Sequence, residues 1–321
     1  MSAYSIRQLT LADLHLLPPL MKAAFGEDVP LAFFEWKYRD NPAGPFIGFV
    51  AEDAAGEIGA YYGVIPEKYS IDGQVQTLYQ SCDTMTHPAH RRRGLFQLLA
   101  THCYDYLQKH DTLRVFGFGG AMSTPGFLKM GWKNLMPVYQ LFYPKLFALG
   151  AFSGKASGVE RTHDFAALEP LLRESNAHAS IHALKDAQAF AWRLANPLHP
   201  YECFYFRNAA GQSEGYIALR ESGKRIYVLD CFFKTKAASR ALTNFLKHRL
   251  RNGPARVALT MAAANSTVFR QLRKMGFVYS PFTTGILKRQ LPFILLTVPE
   301  YGQALQNPQD WDISLFNHDT L

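Results

Sequence analysis

Three consecutive arginines and a glycine stand between a predicted strand and a predicted amphipathic helix. They are residues Arg91 to Gly94 of the segment Thr86-His-Pro-Ala-His-Arg-Arg-Arg-Gly-Leu-Phe-Gln97. The first turn of a helix presents unpaired backbone N–H groups and a partial positive charge, and a glycine lets a phosphate approach the backbone. The segment therefore predicts a polyphosphate site, with a solvated basic loop as the alternative.

The elements that would position this segment occur twice in the chain. Trp36-Lys-Tyr-Arg-Asp-Asn-Pro42 is echoed by Trp192-Arg-Leu-Ala-Asn-Pro197, and two strand-like runs follow each motif. The next strand carries a central aspartate, Asp83 in the first copy and Asp230 in the second. An amphipathic helical pattern and a further strand then follow in both copies. This repeated plan predicts a duplicated domain.

Each copy closes on the same pattern of lysine, methionine, glycine and an aromatic residue. The glycines are Gly131 and Gly276, and a glycine just past a helix suits a left-handed C-terminal cap. The small, flexible residues 150–158 separate the copies, so we predict an N-terminal domain over residues 1–152 and a C-terminal domain over residues 159–321. The element order predicts an α/β fold class, in which each domain has a mostly antiparallel mixed sheet with flanking helices.

These residues resemble the GNAT superfamily of acyl-CoA-dependent N-acyltransferases. The pyrophosphate loop of that family reads Gln/Arg-x-x-Gly-x-Gly/Ala after the fourth strand, and here it reads Arg91-Arg-Arg-Gly-Leu-Phe96. The opening residues 5–25 and the ending Phe127-Leu-Lys-Met-Gly-Trp132 are also similar to the family. The resemblance covers most of residues 4–143, and residues 160–290 look like a second, degenerate copy.

The resemblance implies acetyl-CoA as the cofactor of the N-terminal domain. The diphosphate would lie on Arg91, Arg92, Arg93, Gly94, Leu95 and Phe96, and the backbone amides of Thr84, Met85 and Thr86 would hold the pantetheine arm. Three positions depart from the family pattern, and the first of these is Gly120, where many members carry asparagine. Phe96 replaces a small residue, and Phe127 stands where many members carry the tyrosine that protonates the leaving thiolate.

The second copy lacks an equivalent phosphate loop. Aligning Asp83 with Asp230 places Ala238-Ser-Arg-Ala241 at the positions of Arg91 to Gly94. A side chain at the glycine position would obstruct a diphosphate, so we expect one acyl-CoA site per chain. The C-terminal domain would then shape the acceptor pocket and support the fold.

Acyl transfer from a thioester to an amine needs a base for the amine and an acid for the departing thiolate. Asp83 is the nearest ionisable group on its strand and is a candidate base, with a structural role as the alternative because Asp230 holds the same place. Glu67 is a weaker candidate base. Ser123 and Tyr139 are candidate acids, although Ser123 also suits a helix N-cap.

Composition excludes several classes of protein. Hydrophobic residues make up 48% of the 321 residues and charged residues 19%, which excludes disorder. No apolar run approaches the roughly 18 residues that span a bilayer, and the first residues lack a secretory signal, so we expect a cytoplasmic protein. The four cysteines are far apart, which favours core thiols over a metal site. The net charge of +8 favours an anionic ligand.

Together these patterns predict an N-acetyltransferase that moves an acetyl or other short acyl group from CoA to a primary amine of a small molecule. An amino sugar is the first acceptor to test. We expect no membrane partner and no nucleic-acid partner. Two alternatives stay open. One is an aminoacyl transferase of the Fem type, which also has two GNAT-like copies and uses charged tRNA. The other is a non-catalytic acyl-CoA-binding protein, which is favoured because Phe127 stands in place of the family's tyrosine.

Overall fold

The computed structural model describes residues 4–120, 123–149, 158–282, 285, 289–298 and 304–319. It confirms the α/β fold class, because helices flank one long, mostly antiparallel sheet. The predicted boundary between the copies, residues 150–158, lies outside the described residues except for Gly158.

The described residues of the first copy run to residue 149. Its strands are β1 (Ser5–Gln8), β2 (Ile47–Glu52), β3 (Ile58–Ile71), β4 (Gln74–Thr86), β5 (Arg114–Phe118) and β6 (Lys133–Pro144). Its helices are α1 (Leu17–Phe25), α2 (Leu31–Phe34), α3 (Leu95–His110), α4 (Thr124–Lys129) and α5 (Lys145–Leu149), with a π-helical turn at Glu35–Arg39 and 3-10 turns at Leu11–Leu16 and Pro88–His90.

The described residues of the second copy begin at residue 158. Its strands are β7 (Val159–Thr162), β8 (Ile181–Ala183), β9 (Glu202–Arg207), β10 (Ser213–Ser222), β11 (Arg225–Phe233), β12 (Val257–Ala263), β13 (Val278–Tyr279), β14 (Gln290–Thr297) and β15 (Trp311–Asp312). Its helices are α6 (Phe165–Glu174), α7 (Ala187–Leu194), α8 (Lys236–Asn252) and α9 (Thr267–Met275), with 3-10 turns at Pro308–Asp310 and Leu315–Asn317.

Local sequence explains where the long helices begin and what they bury. α3 begins after Gly94, and α8 begins after Thr235, whose side chain accepts a hydrogen bond from the N–H of Ala238. Gly131 and Gly276 have φ angles of 89° and 96°, as the predicted left-handed caps require. Each helix buries a stripe of leucines against the sheet, namely Leu95, Leu99 and Leu107 in α3 and Leu242, Leu246 and Leu250 in α8. The four cysteines are free and buried, as predicted for core thiols.

The two copies exchange their last long strands. β6 of the first copy pairs with β12 of the second, and β14 of the second copy lies between β5 and β6 of the first. The strand order is β1-β2-β3-β4-β5-β14-β6-β12-β11-β10-β9-β7. The mixed sheets of the two copies therefore join edge to edge, and each copy needs a strand of the other to complete its sheet.

A pair of stacked tryptophans lies on the seam, the surface where the two copies meet. The rings of Trp36 and Trp192 have centroids 4.9 Å apart and planes inclined by 15°. Each indole Nε1 donates to the backbone oxygen of the other residue, at 2.7 and 2.9 Å. The contact is reciprocal, as across a two-fold axis, because the tryptophans hold equivalent places in the two copies.

Replacing Phe293 with alanine should destabilise the whole chain. The ring is fully buried on β14, with the rings of Phe116 and Trp311 at centroid distances of 5.5 and 5.1 Å. Its removal leaves a cavity beneath both copies and should lower the free energy of unfolding by about 3–5 kcal/mol. Urea unfolding measures the loss, and Phe25→Ala, at a ring that is 51% exposed, is the control. Equal stability of the two variants would contradict the strand exchange.

Candidate active site

A wedge opens in the sheet between β4 and β5. The two strands run parallel and pair only at Tyr79 with Val115 and at Gln80 with Phe116. Beyond these pairs β4 continues along β3, whereas β5 continues along β14. The edge of residues 81–86 that faces β5 thus has no strand partner within the described residues. An extended ligand with amide groups can hydrogen-bond to this open backbone edge.

The open edge contains a bulge. Tyr61 of β3 pairs with Met85, whereas Gly63 pairs with Cys82, so Asp83 and Thr84 lie opposite a single residue of β3. The φ angle of Asp83 is 46°, in the left-handed region that is uncommon for residues other than glycine. Such a backbone conformation persists only where the surrounding structure holds it.

The predicted phosphate loop follows the wide end of the wedge. Residues 91–93 are exposed, and Gly94 has a φ angle of 76°. A Cβ atom built on Gly94 meets no other atom within 4 Å, so open space lies in front of its backbone. The first hydrogen bond of α3 runs from the N–H of Leu98 to the oxygen of Gly94. The N–H groups of residues 95–97 therefore lack partners inside the helix and can receive an anion.

The three arginines of the loop differ in their hydrogen-bond partners. Arg91 donates to the oxygen of Ala24 at 2.8 Å, and Arg93 donates to the hydroxyl of Tyr4 at 2.9 Å. Arg92 makes no hydrogen bond or ion pair with any described residue, and its φ angle is 63°. An uncommitted guanidinium beside the start of a helix suits a diphosphate. The residues of this loop therefore fit the diphosphate of acyl-CoA.

Phe96, which departs from the family pattern, does not fill the space in front of Gly94. Its ring packs edge to face on Phe127 of α4 at a centroid distance of 5.1 Å. Gly126 makes room for this ring, because a Cβ atom there would lie 2.8 Å from it. The large side chain is thus accommodated between α3 and α4, and the phosphate loop stays open.

The second copy has no loop at the corresponding place. Residues 87–94 separate β4 from α3, whereas only Lys234 and Thr235 separate β11 from α8. The alignment of Asp83 with Asp230 is therefore wrong at the loop, because residues 238–241 lie inside α8. The shorter connection explains the difference, and within the described residues the phosphate loop belongs to the first copy.

A buried ammonium group connects β4 with the C-terminal tail, residues 311–319. Lys37 Nζ lies 2.9 and 3.0 Å from the two carboxylate oxygens of Asp83 and 3.0 Å from Asp319. The hydroxyl of Tyr38 donates to Asp83 at 2.7 Å. Burial lowers the pKa of Lys37, but the two carboxylates outweigh burial and hold that pKa above its ordinary value. Because both oxygens of Asp83 accept hydrogen bonds, these contacts favour its structural role over its role as a base.

The second copy repeats this arrangement around Asp230. Lys185 Nζ lies 2.9 Å from the carboxylate, and the hydroxyl of Tyr216 donates to it at 2.7 Å. Asp230 is fully buried. Because no phosphate loop stands beside it, the Lys–Asp–Tyr group of the second copy belongs to the fold, which again supports a structural role for Asp83.

A pocket of about 80 Å³ lies on the seam beside Lys37, and we call it the seam pocket. Its walls include Trp36, Lys37, Asn41, Glu67, Gln80, Asp186, Trp192, Arg193 and residues 316–319. Both copies and the C-terminal tail therefore contribute to it. Gln80 also forms the last pair between β4 and β5, so the pocket lies beside the narrow end of the wedge.

Glu67 is the acidic group of the seam pocket that suits proton transfer. The residue as a whole is half-buried, but its carboxyl group is enclosed by protein, and this burial raises the pKa of Glu67 to about 8, although Arg193 opposes the shift. A base is most effective when its pKa lies near the working pH. With Asp83 held by a buried ammonium group, the raised pKa makes Glu67 the better candidate base, the reverse of the order expected from sequence.

The structure places the two candidate acids on different elements. Ser123 holds the N-cap position of α4, as its sequence context suggested, but its side chain makes no capping hydrogen bond with the described residues. Tyr139 lies on β6, and its ring packs on Phe269 and Tyr279 of the second copy. Neither contact of Tyr139 involves the wedge or the seam pocket.

The C-terminal tail carries site residues that the sequence analysis missed. The oxygen of Asn317 accepts a hydrogen bond from Gln80 Nε2 at 2.8 Å, and the ring of His318 packs on Phe118 at 4.7 Å. The tail thus runs beside the wedge from β4 to β5 and ends at the contact of Asp319 with Lys37. Burial lowers the pKa of His318 to about 4, so its imidazole is neutral at pH 7. The sequence did contain a sign that the tail is packed against the protein, because a solvated tail would not carry Trp311 among its residues.

The part of the chain that contains this site is similar to a known protein family. Residues 5–134 match the family model of the acetyltransferase (GNAT) domain. This range includes the wedge, the phosphate loop and α4, so the predicted resemblance is confirmed there. The match ends before the second copy, and no curated protein matches the sequence.

Solved structures extend the likeness to both copies. A probable N-acyltransferase from Enterococcus faecalis V583 is 12% identical with a TM-score of 0.72, over 92% of this chain and 72% of that one. The N-myristoyltransferase of Saccharomyces cerevisiae, solved with myristoyl-CoA, is 12% identical with a TM-score of 0.62, over 92% and 79%. A GCN5-related N-acetyltransferase from Kribbella flavida is 14% identical with a TM-score of 0.65, over 95% and 74%. The likeness is one of fold, and the yeast protein shares the tandem GNAT arrangement.

Asp83→Asn and Asp230→Asn should lower stability by similar amounts. Each substitution removes the negative charge that lies against a buried lysine, and breaking a buried ion pair costs about 3–5 kcal/mol of unfolding free energy. Urea unfolding of both variants measures the effect, with each serving as the control of the other. Full stability of Asp83→Asn together with loss of acyl transfer would instead identify Asp83 as the base.

Proposed function

We propose that the chain is an N-acyltransferase that moves a short acyl group, acetyl first, from CoA to a primary amine of a small molecule. One observation carries the proposal: a phosphate loop with open space before Gly94 follows the wide end of a wedge in the sheet, inside the residues that match the GNAT domain. An amino sugar is the first acceptor to test, on the family resemblance alone.

The binding of acyl-CoA uses two parts of the first copy. The N–H groups of residues 95–97 and the guanidinium of Arg92 would bind the diphosphate. The open backbone edge of residues 84–86 would hydrogen-bond to the pantetheine arm. When bound, acyl-CoA supplies the thioester carbonyl that the amine attacks. Within the described residues the second copy has no such loop, so the diphosphate would bind to the first copy.

The acceptor amine would lie in the seam pocket. The pocket lies beside the narrow end of the wedge and contains the carboxyl group of Glu67, which can take a proton from an ammonium group. Asp83 would stay bound to Lys37 and hold the bulge in place. Ser123, which follows β5 on the other side of the wedge, is our candidate for the acid that protonates the thiolate.

A screen for free-thiol release from acetyl-CoA tests the activity itself. The panel should contain amino sugars, amino acids and polyamines. Release that requires one of these amines supports the proposal. Tight binding of acetyl-CoA with no release for any amine would favour a non-catalytic binding protein, and acyl transfer that requires charged tRNA would favour the Fem type.

Gly94→Val should weaken the binding of acetyl-CoA by at least about tenfold in a protein that stays folded. A branched side chain would occupy the open space before the helix start and strain a backbone with positive φ. Calorimetry measures the affinity and should give one site per chain. Gly73→Val is the matched control, because Gly73 also has a positive φ of 82° and open space before it, but stands in the β3–β4 turn. Equal affinity in both variants would show that the loop is only a basic turn.

Glu67→Gln should lower turnover by roughly 10²-fold or more and leave the affinity for acetyl-CoA unchanged. In the wild type, kcat/KM should rise with pH through a value of about 8, as the carboxyl group loses its proton. The variant should lack this rise. An unchanged pH profile in the variant would remove Glu67 from the mechanism.

The same substitution should also change how stability depends on pH. The folded pKa of Glu67 is about 8 and its ordinary value is 4.5, so between these values the folded chain holds a proton that the unfolded chain has released. The stability that the folded chain gains by holding Glu67 protonated is fully present below pH 4.5. It is lost as the pH rises toward 8. Urea unfolding across this range should show Glu67→Gln gaining stability relative to the wild type as pH rises.

A further inference from the structure

One segment of the chain carries its excess of positive charge. Residues 231–299 contain 12 lysines and arginines and no aspartate or glutamate. The whole chain has 34 cationic and 26 anionic side chains, so the remaining residues carry a net charge of −4. The segment includes α8 and α9 of the second copy.

Four of the five lysines and arginines of α8 share one face of the helix, which we call the cationic face. Lys236, Arg240, Lys247 and Arg251 follow one another at intervals of four, seven and four residues, the period of an α-helix. The first three line one surface groove together with a lysine of α9. Arg251 donates to a backbone oxygen of α5 at 2.6 Å, so the face ends at that helix. At 1.5 Å per residue it is about 22 Å long.

Three of the four positive charges of this face are not neutralised by any residue that the structure describes. Lys236, Arg240 and Lys247 make no hydrogen bond or ion pair with any residue that the structure describes. Two carboxylates of neighbouring strands, Glu202 and Glu221, are already paired with Arg249. These three side chains of the cationic face are therefore available to an anionic partner.

The helix at the end of the cationic face exposes apolar side chains. Leu146, Phe147 and Leu149 of α5 are 72%, 46% and 55% exposed. The helix is held in place, because Lys145 Nζ donates to the oxygen of Gly253 beyond α8 at 3.0 Å. Adjacent exposed apolar side chains on a fixed helix indicate a surface that meets something other than water.

We propose that α5 and the cationic face bind the chain to the surface of an anionic lipid bilayer. The apolar side chains of α5 would enter the boundary between headgroups and acyl chains, and the cationic face would lie along the lipid phosphates. A nucleic acid would match the charge but offers no apolar phase to α5. Exposed apolar side chains beside uncompensated lysines and arginines therefore favour lipid.

This attachment needs no spanning segment. None of the helices in the described parts of the chain has the length and apolar character to cross a bilayer. The expectation of no membrane partner rested on the lack of an apolar run, and binding at the surface replaces it. The proposal is independent of the acyl-transfer reaction, so either can fail without the other.

Flotation of the full chain with vesicles tests the proposal. Wild-type chain should bind vesicles of phosphatidylcholine with phosphatidylglycerol and should not bind vesicles of phosphatidylcholine alone. Binding should weaken with added salt, because part of the attraction is electrostatic. Absence of binding to the anionic vesicles would overturn the proposal.

Two variants separate the charged part of the surface from the apolar part. Phe147→Glu and the combined Lys236→Glu, Arg240→Glu, Lys247→Glu should each lower vesicle binding by at least about tenfold. Circular dichroism and acetyl-CoA binding should show that both variants stay folded.

Matched controls place the same changes elsewhere on the surface. Val75→Glu, at a side chain that is 64% exposed, controls for the apolar substitution, and Lys109→Glu at the exposed end of α3 controls for the charge reversal. Neither should affect vesicle binding. Normal binding by Phe147→Glu, with binding lost in the charge variant and an RNA bound equally well, would overturn the lipid assignment in favour of a nucleic-acid surface.

Discussion

The site depends on the ion pairs of one buried group, the ammonium of Lys37. A fully buried charge is stable only with opposite charge and hydrogen bonds around it, and Lys37 takes these from two distant parts of the chain. Asp83 brings the bulge of β4, and Asp319 brings the C-terminal tail. One buried charge therefore fixes the open edge of the wedge, the path of the tail and one wall of the seam pocket.

With the strands exchanged, the two copies contribute different parts of the site. The first copy keeps the phosphate loop, whereas the second has only two residues, Lys234 and Thr235, at the same place. The second copy instead supplies β14, which borders β5, and the far wall of the seam pocket with Trp192 and Arg193. A pocket enclosed by both copies needs this exchange, because the tail that follows β14 reaches Lys37 from the second copy.

Local patterns in the sequence were enough to predict the elements and the open loop at Gly94 before α3. Gly94, Gly131 and Gly276 all adopt the left-handed conformation that their positions require. What could not be predicted depends on partners far along the chain. The place of β14 between β5 and β6 and the contact of Asp319 with Lys37 are long-range pairings that no periodicity encodes. The pKa of Glu67 is likewise a result of enclosure by both copies and the tail.

Hydrogen–deuterium exchange with and without acetyl-CoA tests the central claim most directly, that the first copy alone binds the cofactor through its loop and wedge. Our account predicts slower exchange of backbone amides in residues 81–86 and 91–97 when acetyl-CoA is bound. It also predicts unchanged exchange at the start of α8, residues 234–241. Protection at the start of α8, or a bound complex with no protection along the edge of β4, would contradict the account.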